Sequence, residues 1–335
     1  MAKKIEFGIV GLGRMGADLA LQALSQGMRV VGTDLKGAPD SLKKAGFVEL
    51  KDLRGFKSAL ASPRIIFLYI PSGKPVDDIL DQCMKVLDRG DILVDGGNSY
   101  WGDSVRRHEY VAKKGFHYID LGTSGGVRGA RNGACFMAGG EKEIVKRVEP
   151  ILQQLAVKDG YVHAGPGGAG HFTKLVHNGI EFGMLQAIGE GMQLLTQYSR
   201  QIGNLDITNV LRCWRHGSVI RSWLVDLLEE GYRANKGIGK IPNYIDDTGE
   251  VNWLVTDALQ LEVPIPAIST AVMQLLASRD GDKDWAKAIE IMRHGFGGHA
   301  FGKDPAAQKE RYHGRVGDFY RPETPKQNPK ERKAG

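Results

Sequence analysis

The N-terminal half of the chain alternates short apolar runs with longer amphipathic stretches. The stretches at 76–87 and 104–114 repeat apolar residues every three or four positions, which predicts helices. The apolar runs have the length of buried strands and fall at 5–10, 29–34, 64–70, 92–95 and 117–120. Strands that alternate with helices predict an α/β fold, here a doubly wound, Rossmann-type parallel sheet.

The pattern changes after residue 168. Residues 134–140 and 161–163 are the last strand-like runs, and beyond them the apolar spacing is helical throughout. Helices are predicted from the turn at 165–170 to Tyr198, and then at 209–229, 253–261, 268–279 and 285–293. We therefore expect an α/β domain over 1–168, an all-helical domain over 169–301 and a basic tail over 302–335.

A glycine-rich turn joins the first predicted strand to the first predicted helix. It reads Gly11-Leu12-Gly13-Arg14-Met15-Gly16, and the strand after that helix ends at Asp34. This order is typical of a dinucleotide-binding unit, because the glycines let the backbone approach a pyrophosphate and the helix N-terminus faces its charge. All six residues of the turn, together with Asp34, are predicted to bind the cofactor.

The acid at the end of the second strand favours NAD over NADP. The Asp34 carboxylate can accept hydrogen bonds from both ribose hydroxyls, whereas it would repel a 2′-phosphate. Lys36 lies close by in the sequence and keeps NADP as the less favoured alternative. We predict NAD as the cofactor.

Composition and charge exclude several classes of function. The 335 residues carry a net charge of +6 and three widely spaced cysteines, without a CxxC pair. This cysteine usage argues against a disulfide framework or a structural zinc site, and it favours the reducing cytoplasm. The sequence shows no nucleic-acid-binding stripe, no membrane span and no signal peptide. We expect a cytoplasmic protein without a metal, acting on a small anionic molecule.

Three glycine-rich loops follow consecutive predicted strands. They are Pro71-Ser72-Gly73, Asp95-Gly96-Gly97-Asn98-Ser99 and Gly122-Thr123-Ser124-Gly125-Gly126. Ligands of such sheets bind beyond the carboxyl ends of the strands. Ordinary turns are the alternative interpretation of each loop, but three at neighbouring strand ends predict a crevice for cofactor and substrate. Ile70, Pro71 and Asn98 are expected on its cofactor side.

A polar stripe runs along the helix that follows Gly170. Lys174, His177, Asn178 and Glu181 stand at i, i+3, i+4 and i+7 and share one helical face, while the other faces are apolar. Burying an ammonium, an imidazole, an amide and a carboxylate is costly unless they are paired or used. A solvated face of mixed charge is the alternative, but the apolar surroundings favour a functional site.

The run from Gly168 to Glu181, Gly-Ala-Gly-His-Phe-x-Lys-x-Val-His-Asn-Gly-Ile-Glu, resembles the signature of the decarboxylating 6-phosphogluconate dehydrogenases. The resemblance extends from the first strand to about Ala300, and the length is that of the short bacterial form, which is often NAD-linked. It implies oxidation of 6-phospho-D-gluconate to D-ribulose 5-phosphate and CO2. It also implies a homodimer with shared active sites.

Roles follow for the residues that match the family pattern. The resemblance implies that Lys174 is the general base and that Glu181 is the general acid. Asn178 lies between them and can orient either group or the substrate. The sugar acid would be held by Asn98, Ser124, Gly125, Gly126, His177 and Asn178, with Arg293 and His299 reaching it from the partner subunit. A neutral Lys174 could take the hydroxyl proton, and its ammonium could then stabilise negative charge during loss of CO2.

Departures from the family pattern concentrate on residues that bind the substrate phosphate. Phe182 stands where a tyrosine is usual, Leu275 takes the place of an arginine, and Arg128 replaces a tryptophan of the short forms. The same chemistry on a 6-sulfo or unphosphorylated aldonate is therefore an alternative. A non-decarboxylating β-hydroxyacid dehydrogenase would not need Glu181, and a dinucleotide-sensing protein would need no catalytic groups.

Overall fold

The computed structural model describes residues 5–297, 300–303 and 305. They form two compact units: the first takes in the described residues of Met1–Ile180 and Gly249–Pro264, the second those of Glu181–Thr248 and Ile265–Gly335. This division passes through one long helix, whereas the boundary predicted at 168/169 precedes that helix, so the predicted domain limits stay a prediction. Apart from residues 302, 303 and 305, the predicted tail lies outside the described residues, and so does His299.

The first unit is built on a sheet that has eight strands within the described part of the chain. The strands are β1 (Glu6–Val10), β2 (Arg29–Thr33), β3 (Val48–Glu49), β4 (Ile65–Leu68), β5 (Ile92–Asp95), β6 (His117–Ser124), β7 (Ala134–Gly139) and β8 (Ala156–Gly165). Their order is β3-β2-β1-β4-β5-β6-β7-β8. The chain thus moves outward from β1 to β3 and returns to the other side of β1, which confirms the doubly wound fold.

The helices vary from single turns to one of 33 residues. They are α1 (Arg14–Ser25), α2 (Asp40–Lys44), α3 (Gly55–Ala59), α4 (Lys74–Val86), α5 (Trp101–Lys113), α6 (Gly126–Asn132), α7 (Lys142–Leu155), α8 (Ala169–Gln201), α9 (Ile207–Trp214), α10 (Trp223–Ala234), α11 (Glu250–Gln260), α12 (Pro266–Ala277) and α13 (Asp284–Gly297). The short elements α2, α3, α6 and β3 were not predicted, because so few residues show no period.

Both faces of the sheet are buried. Alternate residues of a strand point to opposite faces, so Ile9 and Phe67 join the core under α1 and α7, while Val10 and Leu68 join the core under α4 and α5. Strands covered on both sides become continuous apolar runs, which is why the sequence shows them as runs rather than as alternation.

Two strands, β7 and β8, depart from the predicted parallel sheet, because they pair parallel with each other and run opposite to β6 and the strands before it. β7 pairs antiparallel with β6, with Asp120 opposite Gly139 and Ser124 opposite Cys135. Between them lies only α6 with one residue at each end, and a parallel crossover needs a connection of about a dozen residues or more. The short connection therefore makes β7 run back along β6.

The second unit is all-helical in its described part, as predicted, and contains α9, α10, α12, α13 and α8 from Glu181 onward. The single helix predicted over 209–229 is wrong, because the chain leaves the helix after Trp214 and starts α10 at Trp223. Gly217 has a φ of 73°, which breaks the helix, and the Ser222 hydroxyl accepts the Val225 N–H as the cap of the new one. Within the described residues, we find no helix with the length and apolar character of a membrane span.

Candidate active site

A cleft of about 1810 Å³ opens at the carboxyl ends of β1, β2 and β4. The predicted cofactor residues that line it are Gly11, Leu12, Gly13, Asp34, Ile70 and Pro71. Arg14, Met15 and Gly16 form the first turn of α1 directly behind Gly13. The seven residues predicted from the dinucleotide motif therefore lie on the wall of this cleft or in the helix turn that begins there.

Two of the three glycines of the turn are required by close approach of the backbone. Gly11 has a φ of 93°, and a Cβ on it would lie 2.3 Å from the Tyr69 carbonyl oxygen. A Cβ on Gly16 would lie 2.1 Å from the Gly11 carbonyl oxygen, so any side chain there would push α1 off the turn. A Cβ on Gly13 would meet nothing within 4 Å, which leaves this part of the turn open to the cleft. These residues fit the pyrophosphate of NAD or NADP.

Asp34 joins the second strand to the glycine-rich turn. Its Oδ2 accepts the Leu12 N–H at 2.7 Å, and its Oδ1 accepts the Lys36 N–H at 2.8 Å. A carboxylate can accept about four hydrogen bonds, so both oxygens keep capacity toward the cleft that Asp34 lines. The residue can thus bind the ribose hydroxyls and hold the turn at the same time, a second role that was not predicted.

The side chains of the polar stripe meet the end of β6. The Nε2 of His177 lies 3.0 Å from the Ser124 Oγ, and its Nδ1 lies 3.4 Å from the Lys174 Nζ. The same Nδ1 lies 3.3 Å from the Asn178 Oδ1. With a proton on Nε2, the ring can accept a hydrogen bond from Lys174, and with a proton on Nδ1 it can donate to Asn178. Four of the predicted residues are therefore brought together in one hydrogen-bonded cluster.

Glycines bring α8 against the sheet at this place. A Cβ on Gly122 of β6 would lie 2.6 Å from the Lys174 Cβ. On the helix side, a Cβ on Gly170 would lie 2.5 Å from the carbonyl oxygens of Asp120 and Met137. Helix and strands can touch only because these positions carry no side chain, and that contact places Lys174 over β6.

The start of α8 is held by Asp120, a residue that was not predicted to belong to the site. Asp120 is fully buried; its Oδ1 accepts the Gly168 N–H at 2.8 Å, and its Oδ2 accepts the His171 N–H at 2.9 Å. The carboxylate satisfies two amides of the helix N-terminus and complements its positive end. His171 is itself tied to α5, since its Nδ1 lies 2.7 Å from the Ser104 Oγ.

The loops after β4, β5 and β6 lie at the same edge of the sheet. Asn98 is exposed on the loop after β5, next to the strand that ends at Ser124. The Tyr69 hydroxyl, after β4, lies 3.1 Å from the Thr123 Oγ1. Burial raises the pKa of Tyr69 to about 12, so this hydroxyl remains protonated and links the two strand ends across Gly96.

Helix α11 is fastened to the residues that follow the Asn98 loop. The buried Asp257 carboxylate accepts hydrogen bonds from the Tyr100 hydroxyl at 2.9 Å and from the Trp101 Nε1–H at 2.7 Å. The Trp101 ring also packs edge-on against Phe172 of α8, with centroids 5.5 Å apart. Trp101 therefore connects α11 to the helix that carries Lys174. Because Asp257 is distant from Trp101 in the sequence, no local pattern indicates this contact.

The other predicted substrate and catalytic residues within the described chain lie at the start of α6 and on α8 and α13. Gly125 and Gly126 begin α6 with φ angles of 111° and 57°, and Gly126 is exposed. Glu181 is half-buried on α8 and Arg293 is exposed on α13, both within the second unit. Among the residues that the structure describes, no three His, Cys, Asp or Glu side chains gather as metal ligands.

Two family models match the chain in succession. The NAD binding domain of 6-phosphogluconate dehydrogenase matches residues 6–165. The C-terminal domain of 6-phosphogluconate dehydrogenase matches residues 170–295. The first match contains the cleft and the loops, and the second contains the polar stripe of α8.

Individual proteins with both parts are similar over most of this chain. The Bacillus subtilis protein YqeC, provisionally assigned as a 6-phosphogluconate dehydrogenase, is 40% identical over 88% of this chain and 99% of its own length. The NAD(+)-dependent, decarboxylating 6-phosphogluconate dehydrogenase of Haloferax volcanii is 36% identical over 88% of this chain and 98% of its own length.

Solved structures share the architecture. Plasmodium falciparum 6-phosphogluconate dehydrogenase superposes with a TM-score of 0.74 at 26% identity, over 90% of this chain and 66% of that one. The 3-hydroxyisobutyrate dehydrogenase of Mycobacterium tuberculosis superposes with a TM-score of 0.64 at 19% identity, over 80% of this chain and 91% of that one. The second likeness concerns the fold alone.

Proposed function

The chain belongs to the 6-phosphogluconate dehydrogenase family, and on that premise we propose that it oxidatively decarboxylates 6-phospho-D-gluconate with NAD. The products are D-ribulose 5-phosphate and CO2. The observation that carries this proposal is the cluster of Lys174, His177 and Ser124 at the sheet edge where the cofactor cleft opens. At that edge an amine can act as a base, while an imidazole and a hydroxyl can form hydrogen bonds with a hydroxy acid substrate.

Lys174 acts as the general base in the first step. Bound NAD would supply the hydride acceptor, and the neutral amine of Lys174 takes the proton of the hydroxyl on the carbon β to the carboxylate. Oxidation at that carbon gives a β-keto acid, which can lose CO2. The ammonium formed on Lys174 then stabilises the negative charge that grows on the carbonyl oxygen.

Glu181 serves as the acid in the last step. Loss of CO2 leaves an enediol, which must be protonated on the carbon that carried the carboxylate. Glu181 stands two helical turns beyond Lys174 on α8, with Asn178 between them in sequence. Asn178 orients the reacting groups, and its Oδ1 already lies within reach of His177.

The substrate is held by side chains and by backbone. Asn98, Ser124 and His177 bind its hydroxyl and carboxylate groups, and the Gly125-Gly126 turn offers backbone N–H groups. Arg293 and His299 are assigned to the phosphate end, reaching it from a second copy of the chain. A homodimer with shared active sites is therefore part of the proposal.

The reaction is tested by following NADH and CO2 together. The protein is incubated with NAD and 6-phosphogluconate, and in parallel with gluconate and with 6-sulfogluconate. We expect one CO2 for each NADH, with 6-phosphogluconate giving the highest kcat/KM. Inactivity with all three acids would contradict the proposal, and NADH formation without CO2 would indicate a simple β-hydroxyacid dehydrogenase.

A second substrate class is favoured by two residues. Phe182 follows Glu181 directly and lacks the hydroxyl that a tyrosine would offer to a phosphate. Leu275 on α12 likewise provides no charge. A higher kcat/KM with gluconate or 6-sulfogluconate would move the proposal to that acid without changing the chemistry.

The preference for NAD is expected to depend on Asp34. The wild-type protein should have a higher kcat/KM with NAD than with NADP, because the carboxylate repels a 2′-phosphate. Asp34→Asn keeps the shape and removes the charge. We expect the ratio of kcat/KM for NADP to that for NAD to rise by about tenfold, the effect of a modest change in electrostatic repulsion.

Asp40→Asn provides the control, because Asp40 is an exposed acid that lines the same cleft. The cofactor ratio of this variant should match that of the wild type. A wild-type protein that prefers NADP, or equal shifts in the two variants, would count against the assignment of Asp34.

A further inference from the structure

Helix α5 buries an arginine completely. Arg107 has no exposed surface, although its neighbour Arg106 keeps 54% of its side chain exposed. A buried guanidinium is costly unless carboxylates and carbonyls surround it. The groups that surround Arg107 are therefore the ones that its charge holds in place.

The guanidinium reaches toward two different loops at the carboxyl edge of the sheet. Its Nη2 donates to the Gly73 carbonyl at 2.8 Å, and its Nε donates to the Asp77 Oδ1 at the start of α4, at 2.9 Å. Its Nη1 faces the Asp95 Oδ2 at the end of β5, at 3.6 Å. Burial opposes the charge, but the hydrogen bond to Asp77 and the nearby carboxylates outweigh it and raise the pKa of Arg107.

Asp95 in turn organises the loop that presents Asn98. This carboxylate is fully buried; its Oδ1 accepts the Gly97 N–H at 3.1 Å, and its Oδ2 accepts the Ser99 hydroxyl at 2.8 Å. Gly97 and Ser99 are the two neighbours of Asn98. Because both are anchored to one buried group, the backbone that carries the exposed Asn98 is held on either side.

We propose that Arg107 is a positioning residue for the active site, which sets the places of the loop at 71–73 and of the loop at 95–99 relative to each other. The first loop belongs to the cofactor cleft and the second carries Asn98. This inference rests on the proposed function for the meaning of the second loop. The contact to the cofactor loop can be tested without any turnover.

The geometry calls for arginine rather than for any cation. The planar fork donates separate N–H groups to Asp77 and Gly73 and holds the Nη1 3.6 Å from the Asp95 carboxylate, an ion pair without a hydrogen bond. An ammonium on a flexible stem can satisfy only part of this arrangement. Lysine would keep the positive charge that balances Asp95. It would lose the fixed link between the two loops.

The test compares Arg107→Met and Arg107→Lys with Arg106→Met in the full-length protein. Arg106 is the matched control, because it is adjacent and also donates to Asp77 but remains exposed. The readouts are the Kd for NAD from titration calorimetry, kcat and KM for the sugar acid, and the midpoint of thermal unfolding. The Kd requires no substrate.

We expect Arg107→Met to raise the Kd for NAD by about tenfold and to lower kcat/KM by about a hundredfold, as small displacements of positioned groups do. Arg107→Lys should recover most of the thermal midpoint while its Kd stays about fivefold above that of the wild type. Arg106→Met should match the wild type in all readouts.

Two results would overturn the assignment. The first is a folded Arg107→Met or Arg107→Lys protein with the Kd and kcat/KM of the control, which would make the contacts merely structural. The second is failure of Arg107→Lys to fold, which would make them a requirement of folding itself. If the wild type oxidises no sugar acid, the proposed function fails, and the Kd comparison still decides the role of Arg107.

Discussion

Replacing Lys174 by methionine is expected to abolish oxidation of the sugar acid, with kcat falling by roughly 10²- to 10⁴-fold. Methionine has nearly the same length and keeps the stem that packs over β6, but it has no nitrogen to accept the hydroxyl proton. The Lys174 Nζ lies 3.4 Å from the His177 Nδ1, so the variant also loses one group of the cluster. Initial rates of NADH formation measure the effect.

The loss should be confined to chemistry. The Kd for NAD and the thermal midpoint of Lys174→Met should stay close to those of the wild type, because the glycine-rich turn is untouched. Lys146→Met is the control, since Lys146 is an exposed helical lysine on α7 that pairs with Glu143. If Lys174→Met keeps more than about a tenth of the wild-type kcat, the role of general base is wrong.

Adding one methyl group at Gly122 should damage the site almost as strongly. The Cβ of Gly122→Ala would lie 2.6 Å from the Lys174 Cβ and 2.9 Å from the Gly170 carbonyl oxygen. Such distances force α8 and β6 apart, which displaces Lys174 from the cluster. A displacement of about 1 Å can cost about 10²-fold in rate, and overpacking costs about 1–3 kcal/mol of folding free energy.

Steady-state kinetics and chemical denaturation measure the two effects of Gly122→Ala. Gly281→Ala is the control, because a Cβ at Gly281 would meet nothing within 4 Å, and it should leave both quantities unchanged. A Gly122→Ala protein with wild-type kcat would show that the site tolerates movement of α8, and the close approach would then have no catalytic meaning.

Much of the fold could be predicted because its signals are local. The strand, glycine-rich turn and helix at 5–25 follow one another directly, and Gly11 and Gly16 each have a steric reason within the same unit. The stripe from Lys174 to Glu181 needed only the period of a helix. Where local signals were weak, the predictions failed: Gly217 ends a helix that the apolar pattern continues, and the short α6 turns β7 around.

The groups that hold the candidate site in place could not be predicted. Tyr100 and Asp257 are 157 positions apart, and Asp120 and His171 are 51 apart. Asp34 follows β2, Asp95 ends β5 and Asp120 lies in the middle of β6, and each accepts backbone N–H groups in the fold. An acid within or directly after a strand was thus a usable signal, but the sequence does not indicate which amide it meets.

By itself, the sequence determined which residues share an element and a face, since helix and strand periods depend on neighbours along the chain. It placed Lys174, His177 and Asn178 together for that reason. Only the tertiary structure decided that Ser124 closes the cluster and that Arg107 is buried while Arg106 is exposed. Those outcomes depend on how tightly the helices pack on the sheet. Glycines that are distant in sequence permit the close packing, and buried carboxylates stabilise it.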